Sequence, residues 1–148
     1  MSQDIINAVV RFFEAVDNRD WVAARTFMND PMRLDYSSYG AGPAADLRPT
    51  DILHGWQQVL PGFDATQHQL GPLIIEVEGP EAHVRANVTA THRISEAAAG
   101  ELWTVFGNYE IGLTQTAETW RISSLTFLFK YQSGNTELPA LAQKRIAA

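Results

Sequence analysis

In the segment EAHVRANVTATHRIS, alternate residues of an extended strand share a side, so Ala82, Val84, Ala86, Val88, Ala90, His92 and Ile94 fall on one face. His92 therefore sits on an apolar face, where an imidazole that titrates near neutrality can take up and release protons. The small residues before it leave space above that face, which is how a curved sheet makes a pocket instead of a filled core. A histidine that merely satisfies a buried hydrogen bond is the plain alternative. Asp17 is the second candidate. An advance of about 100° per residue puts it on the stripe of Ile6, Val10 and Phe13. A carboxylate in that place needs a cation or imidazole partner, because an unpaired buried charge costs several kcal/mol, roughly. At a helix end, the same residue could instead cap a helix starting at Trp21.

His68 in ATQHQLGPLIIEV shares the parity of Leu70, and Tyr36 shares that of Met32 and Leu34, so both can reach the same pocket. Asn108 has the parity of Phe106 in LWTVFGNYEIGL, and the two are expected to face inward against a ligand. His83 falls on the polar face with Arg85, Asn87 and Thr89, and His54 lies opposite the apolar stripe of its helix, so both belong to solvent. Trp56, Trp103 and Trp120 read as structural. The histidines lack HxH or HExxH spacing and no third ligand is evident, so no metal is expected.

The elements that carry these residues divide into two blocks. Ile6, Val9, Val10, Phe13, Val16 and Asp17 define one side of a first helix, and Trp21 to Met28 a second short one ended by Asn29-Asp30-Pro31. Met32 to Tyr39 reads as a strand, followed by the loop GAGPAAD. A third helix starts at Pro49-Thr50-Asp51, with Thr50 as N-cap, and buries Ile52, Leu53, Trp56, Val59 and Leu60 until Pro61-Gly62. Beyond residue 64 the period becomes alternating, with extended segments near 66–78, 82–95, 101–115 and 118–131 joined by hairpin turns. Glu137 to Ile146 is amphipathic and either packs as a terminal helix or frays. Helices first and strands afterwards make an α+β fold in which a strongly curved antiparallel sheet wraps about three N-terminal helices and encloses a pocket.

Composition narrows the function. The 148 residues are 45% hydrophobic and 19% charged, which fits a single domain over residues 1–148. A formal charge of -6 with no basic cluster argues against nucleic acid. No cysteine is present, so thiolate metal sites, disulfides and cysteine nucleophiles are excluded and catalysis must rest on His, Asp, Glu, Tyr or Ser. The N-terminal stretch has neither a signal h-region nor a membrane span, and a cytoplasmic protein with no membrane partner is expected.

With Asp17, Tyr36, His68 and His92 assembled, the sequence resembles the nuclear transport factor 2-like superfamily, its SnoaL-like branch and, within that, the scytalone dehydratases. The resemblance spans about residues 5 to 131 and is carried by DNRDWVAAR, MRLDYSSY, TQH, THR and TWRI. It implies a cone-shaped sheet over three helices and a homodimer or homotrimer. It also implies an Asp17–His92 pair, with His92 as proton shuttle, Tyr36 on a carbonyl oxygen and His68 steadying that oxygen. The family's second tyrosine is replaced by Val16, its serine near Gly107, and its asparagine fits Asn108 after a shift of one residue. Val16, Phe106 and Asn108 thereby enter as candidate substrate contacts.

Such a constellation suits proton transfer next to a carbonyl. The expected function is a cofactor-independent dehydratase or isomerase acting on a small hydrophobic, oxygenated ring compound. The competing expectation is a non-catalytic binding or assembly module of the same fold, which a filled cavity or a His92 bonded only to backbone would favour. Other enzymes of this fold, such as epoxide hydrolases and ketosteroid isomerases, need carboxylates where this chain has apolar or small residues.

Overall fold

The computed structural model describes residues 2–148. Helix α1 (Ser2–Asp17) is followed by α2 (Trp21–Thr26), β1 (Met28–Asp35), β2 (Ala45–Leu47) and α3 (Pro49–Trp56). Then come β3 (Ala65–Leu70), β4 (Ile74–Glu78), β5 (Glu81–Arg93), β6 (Leu102–Thr116), β7 (Thr119–Gly134) and α4 (Leu138–Ala147). The fold is α+β, as the order of helical and alternating segments predicts.

Helix α1 lies in the concavity of the sheet and buries Ile5, Ala8, Val9, Phe12, Phe13, Ala15 and Val16. Each large side chain so enclosed contributes roughly 1.5–3 kcal/mol of transfer free energy. The buried stripe is rotated from the one expected: Ile6 is only partly covered and Val10 is 46% exposed. Two neighbouring apolar stripes run along this helix, and the sheet selects the one that carries Phe12.

The seven strands run in the order β2-β1-β7-β6-β5-β3, with β4 also on β5. The sheet is mixed rather than wholly antiparallel, because β1 pairs with β7 in parallel while every other pairing is antiparallel. Most of the chain separates β1 from β7, which leaves ample length for the crossover that parallel strands need. The single segment expected at 66–78 is two strands. Gly71-Pro72 breaks it, and β3 and β4 share one edge of β5, against Val88–Arg93 and Glu81–Arg85 respectively.

Two further boundaries differ from expectation. Helix α2 stops at Thr26, and Asn29-Asp30-Pro31 lies within β1, where the pairing to β7 is irregular between Met28 and Arg33. A proline that cannot donate to the ladder is tolerated at such an irregularity. Tyr36 lies past the end of β1 and leads into a 3₁₀ turn, Ser37–Tyr39. Helix α3 has Arg48, not Thr50, as its N-cap, because Pro49, whose fixed φ suits the first helical position, starts the helix one residue earlier.

Helix α4 packs against the body of the protein, with Leu138 and Ala142 fully buried. It rests on a 3₁₀ turn at Leu60–Gly62, where a Cβ on Gly62 would collide with the Ala142 backbone. Arg145 fastens it by donating to the Gly62 carbonyl at 2.8 Å and to Asp64 Oδ1 at 2.9 Å. Among the described residues, no helix is long and apolar enough to cross a membrane.

Candidate active site

The strict alternation of β5 puts His92 on the concave face at 5% exposure and His83 on the exposed one. His68 reaches the same concave side from β3, where Thr66 is the register partner of His92 and His68 of Ala90. The two imidazole centres are 6.5 Å apart. Both line a cavity of about 150 Å³ with Phe13, Tyr36, Trp103 and Tyr109. Trp56 and Trp103, read from sequence as structural, are part of its aromatic wall. A wider depression of about 810 Å³ opens between α1 and β3 on the other side of His68. It is an exposed groove that Asp17, Arg19, Thr66 and His68 also border, among polar residues such as Glu14 and Gln67 and apolar ones such as Val10 and Phe63, whereas the smaller cavity has aromatic walls and few convergent polar groups.

Asp17, the last residue of α1, is not paired with His92. Its Oδ1 accepts from His68 Nδ1 at 2.7 Å and from the Thr66 hydroxyl at 3.2 Å, and its Oδ2 accepts from the His68 backbone N–H at 2.8 Å. Nor does it cap α2, whose N-cap is Asp20, accepting from Ala23 N at 3.0 Å. The His68 and Asp17 side chains are only 12% and 15% exposed, so water screens their contact little. A carboxylate at Nδ1 fixes the tautomer: the proton stays on Nδ1 and the Nε2 lone pair is free. The pairing follows from where α1 ends, since its last turn lies against β3, which carries Thr66 and His68.

His92 is held differently. Its Nδ1 donates to the Trp103 carbonyl at 3.1 Å, and Phe63 and Trp103 crowd the ring at centroid distances of 4.9 and 4.2 Å. Burial, reinforced by the nearby His68 and opposed by the Trp103 carbonyl and Asp17, lowers its pKa to about 4. His92 is therefore neutral at physiological pH, with Nε2 as an acceptor. The unfolded chain, with an imidazole near 6.5, binds the proton first, so this group's contribution to stability is complete above pH 6.5 and lost as pH falls towards 4. The difference between 6.5 and about 4 amounts to roughly 3 kcal/mol. Urea midpoints measured at pH 7 and pH 4.5 should show a loss of this order in wild type and a markedly smaller one in His92→Gln. Equal losses in both would refute the assignment.

Tyr36 and Tyr109 meet hydroxyl to hydroxyl at 2.9 Å. Tyr36 as a residue is partly exposed, but its hydroxyl end is enclosed, and burial pushes its pKa up to about 12 against the opposing hydrogen bond from Tyr109. Tyr109 is likewise raised well above the usual phenol value, by burial and then by Tyr36 and Asp17. Both phenols keep their protons at neutral pH. One proton is used between them, and the other is available to an oxygen in the cavity.

Three candidates from the sequence lie elsewhere. On β6 the core face is Trp103, Val105, Gly107, Tyr109, Ile111 and Leu113, so Phe106 and Asn108 are on the outer face. There Phe106 stacks on Tyr131 at 4.3 Å, and Asn108 is opposite Asn87 and Leu128. Val16 is buried in the hydrophobic core and does not line the cavity. Sequence reasoning took the parity of Phe106 for the inward one and so missed Tyr109, which the run Trp103, Val105, Ile111, Leu113 could have revealed. Arg19 and Thr66 were also missed, since a single cation past a helix end and a single threonine in a strand carry no spacing signal.

The family follows from the sequence as a whole. Residues 2–126 match the model of the SnoaL-like domain, and the chain belongs to that family. Its backbone resembles the Kfla4162 protein from Kribbella flavida, at 25% identity and a TM-score of 0.85 over 96% of each chain. It also resembles a protein assigned as a scytalone dehydratase from Novosphingobium aromaticivorans, at 16% identity and a TM-score of 0.75, over 90% of this chain and 87% of that one. A hexachlorocyclohexane dehydrochlorinase, LinA-type3 from Novosphingobium barchaimii, aligns at 14% identity and a TM-score of 0.73, over 91% and 90%. At these last two identities the likeness is one of fold. No functionally curated protein matches the sequence.

Proposed function

We propose that the protein is a cofactor-independent lyase or isomerase that moves a proton next to the carbonyl of a small cyclic hydroxy ketone, with His68 as the base. The observation that carries this reading is the Asp17–His68 hydrogen bond beside an aromatic cavity. His68 Nε2 takes the hydrogen from the carbon next to the carbonyl. The developing enolate oxygen accepts from the free hydroxyl proton of the Tyr36–Tyr109 pair, which burial keeps on the phenol. In a dehydration, the bond from the β-carbon to its hydroxyl then breaks. The leaving oxygen takes the proton back from His68 and departs as water. In an isomerisation the same proton returns to a different carbon. His92 Nε2, neutral and an acceptor, suits a hydroxyl of the ligand rather than the role of charged shuttle.

The resemblance to the scytalone dehydratases and the LinA fold supports proton abstraction without a cofactor. The size of the cavity, about 150 Å³, suits a compact ring. A homodimer or homotrimer is part of the same proposal, and the exposed Leu102, Leu128 and Tyr131 are apolar surface that such contacts would cover.

One observation favours the binding-module reading: His92 is bonded only to a backbone carbonyl. Against it stands a carboxylate fully engaged in orienting a second imidazole. Incubation with hydroxylated naphthalenones and cyclic β-hydroxy ketones in D₂O separates the two. Catalysis predicts exchange of the α-hydrogen or loss of water, slowed by about tenfold or more in Tyr109→Phe. If ligands bind and no carbon-bound hydrogen exchanges with any of them, the catalytic reading falls and the module remains.

A further inference from the structure

Arg19 has a left-handed backbone, with φ of 59°, two residues past the end of α1. The turn closes with Asp20 N donating to the Ala15 carbonyl at 2.8 Å and Arg19 N to Val16 O at 3.1 Å. Glycine or asparagine is the usual occupant of this place, because a larger side chain is strained there. Strain that persists in a fold points to something the side chain supplies. Here the guanidinium turns inward. Nη1 donates to the Asp17 carbonyl at 2.8 Å and to Thr66 Oγ1 at 2.7 Å, and Nη2 donates to the Leu60 carbonyl at 2.8 Å and more weakly to that of Phe63 at 3.4 Å.

The bond to Thr66 has a directional consequence. A threonine hydroxyl carries one proton and two lone pairs. With Arg19 on a lone pair, the proton is turned to Asp17 Oδ1, 3.2 Å away. Thr66 is 7% exposed, so water offers little competition. Without this hydroxyl, Oδ1 of Asp17 loses the bond that fixes its rotation, and the carboxylate can turn about its remaining bond to the His68 backbone N–H and leave Nδ1.

We propose that Arg19 and Thr66 are positioning residues for the His68 base: Arg19 orients the Thr66 hydroxyl, and that hydroxyl anchors Asp17 so that His68 keeps its proton on Nδ1 and presents Nε2 to the cavity. This rests on the acid/base reading of the site for its effect on turnover. Its effect on the imidazole stands by itself. The plain alternative is that Arg19 only fastens the end of α1 to the turn at Leu60–Gly62.

Thr66→Val separates the two, because it keeps the branched shape and leaves the other Arg19 bonds in place, and Thr66→Ser restores the hydroxyl. The first readout is the ¹⁵N spectrum of the neutral imidazoles, which reports the His68 tautomer without any substrate. The second is kcat and KM on whichever hydroxy ketone the wild type turns over. Thr66→Val is expected to mix the His68 tautomers and to lower kcat by about tenfold or more, with KM changed by less than about threefold. Thr66→Ser should recover both to within about threefold. Arg19→Gln should mix the tautomers as well, with a loss of thermal stability. A wild-type tautomer in Thr66→Val overturns the proposal, as does an equal defect in Thr66→Val and Thr66→Ser. Mixed tautomers in a protein that turns over none of the ketones would leave the positioning role in place and remove the catalytic one.

Discussion

Asp17→Asn is expected to lower kcat for a cyclic hydroxy ketone by about two to four orders of magnitude, with little change in fold. The substitution preserves shape and reverses hydrogen bonding. Asp17 accepts three hydrogen bonds, from the His68 ring, the His68 backbone and the Thr66 hydroxyl. The introduced amide can satisfy the backbone N–H with its oxygen only by turning its NH₂ towards His68 Nδ1. A donor at Nδ1 drives the imidazole proton to Nε2, and the lone pair that should remove hydrogen from carbon is then occupied. The loss belongs in kcat, because ligand contacts in the cavity are untouched. Steady-state kinetics with the His68 tautomer read in parallel checks this, and activity within threefold of wild type would show that His68 is not the base.

Gly107→Ser is expected to destabilise the protein by about 1–3 kcal/mol, although it supplies the serine that the resemblance to the scytalone dehydratases implies near this position. Gly107 faces the core from β6, where the pairing to β7 shifts register between Phe106 and Gly107. A Cβ built there would overlap the Leu128 carbonyl oxygen and lie 2.7 Å from Cε1 of the Phe127 ring. Phe127 also lines the cavity and stacks on Tyr36 at 5.6 Å. Relief of the clash must therefore move either the β6–β7 ladder or an aromatic wall of the site. A thermal unfolding midpoint lower by about 5–10 °C, with weaker ligand binding, is the expected result. An unchanged midpoint would mean that the strand pair yields at no cost. The cavity of this chain is thus built around a tyrosine, Tyr109, and a close strand contact that leaves no room for a side chain at Gly107.

The order of residue types along the chain is enough to set the class of fold and the faces of its clearest strand. Two periodicities in one chain, helical and then alternating, leave few architectures besides helices covered by a curved sheet. In β5 a charged or polar residue alternates with an apolar one for most of the strand, so His92 had to face inward and His83 outward. Where both faces carry apolar residues, parity alone was insufficient. Phe106 and Leu102 compete with Trp103 and Val105 on β6, and Ile6 and Val10 compete with Ile5 and Val9 on α1. Only packing against the opposite layer chose between them. The partner of Asp17 was likewise beyond the sequence, since periodicity tells which side a residue takes and carries no information about distance across the pocket. His68 and His92 share the concave face, and the choice between them was made by the last turn of α1 coming to rest on β3. The Tyr36–Tyr109 contact joins residues 73 positions apart, and all partners of the Arg19 guanidinium but the Asp17 carbonyl are 41 to 47 positions away. Contacts of that separation exist only once the sheet has curved over the helix, because curvature and register, not local preference, set which side chains converge.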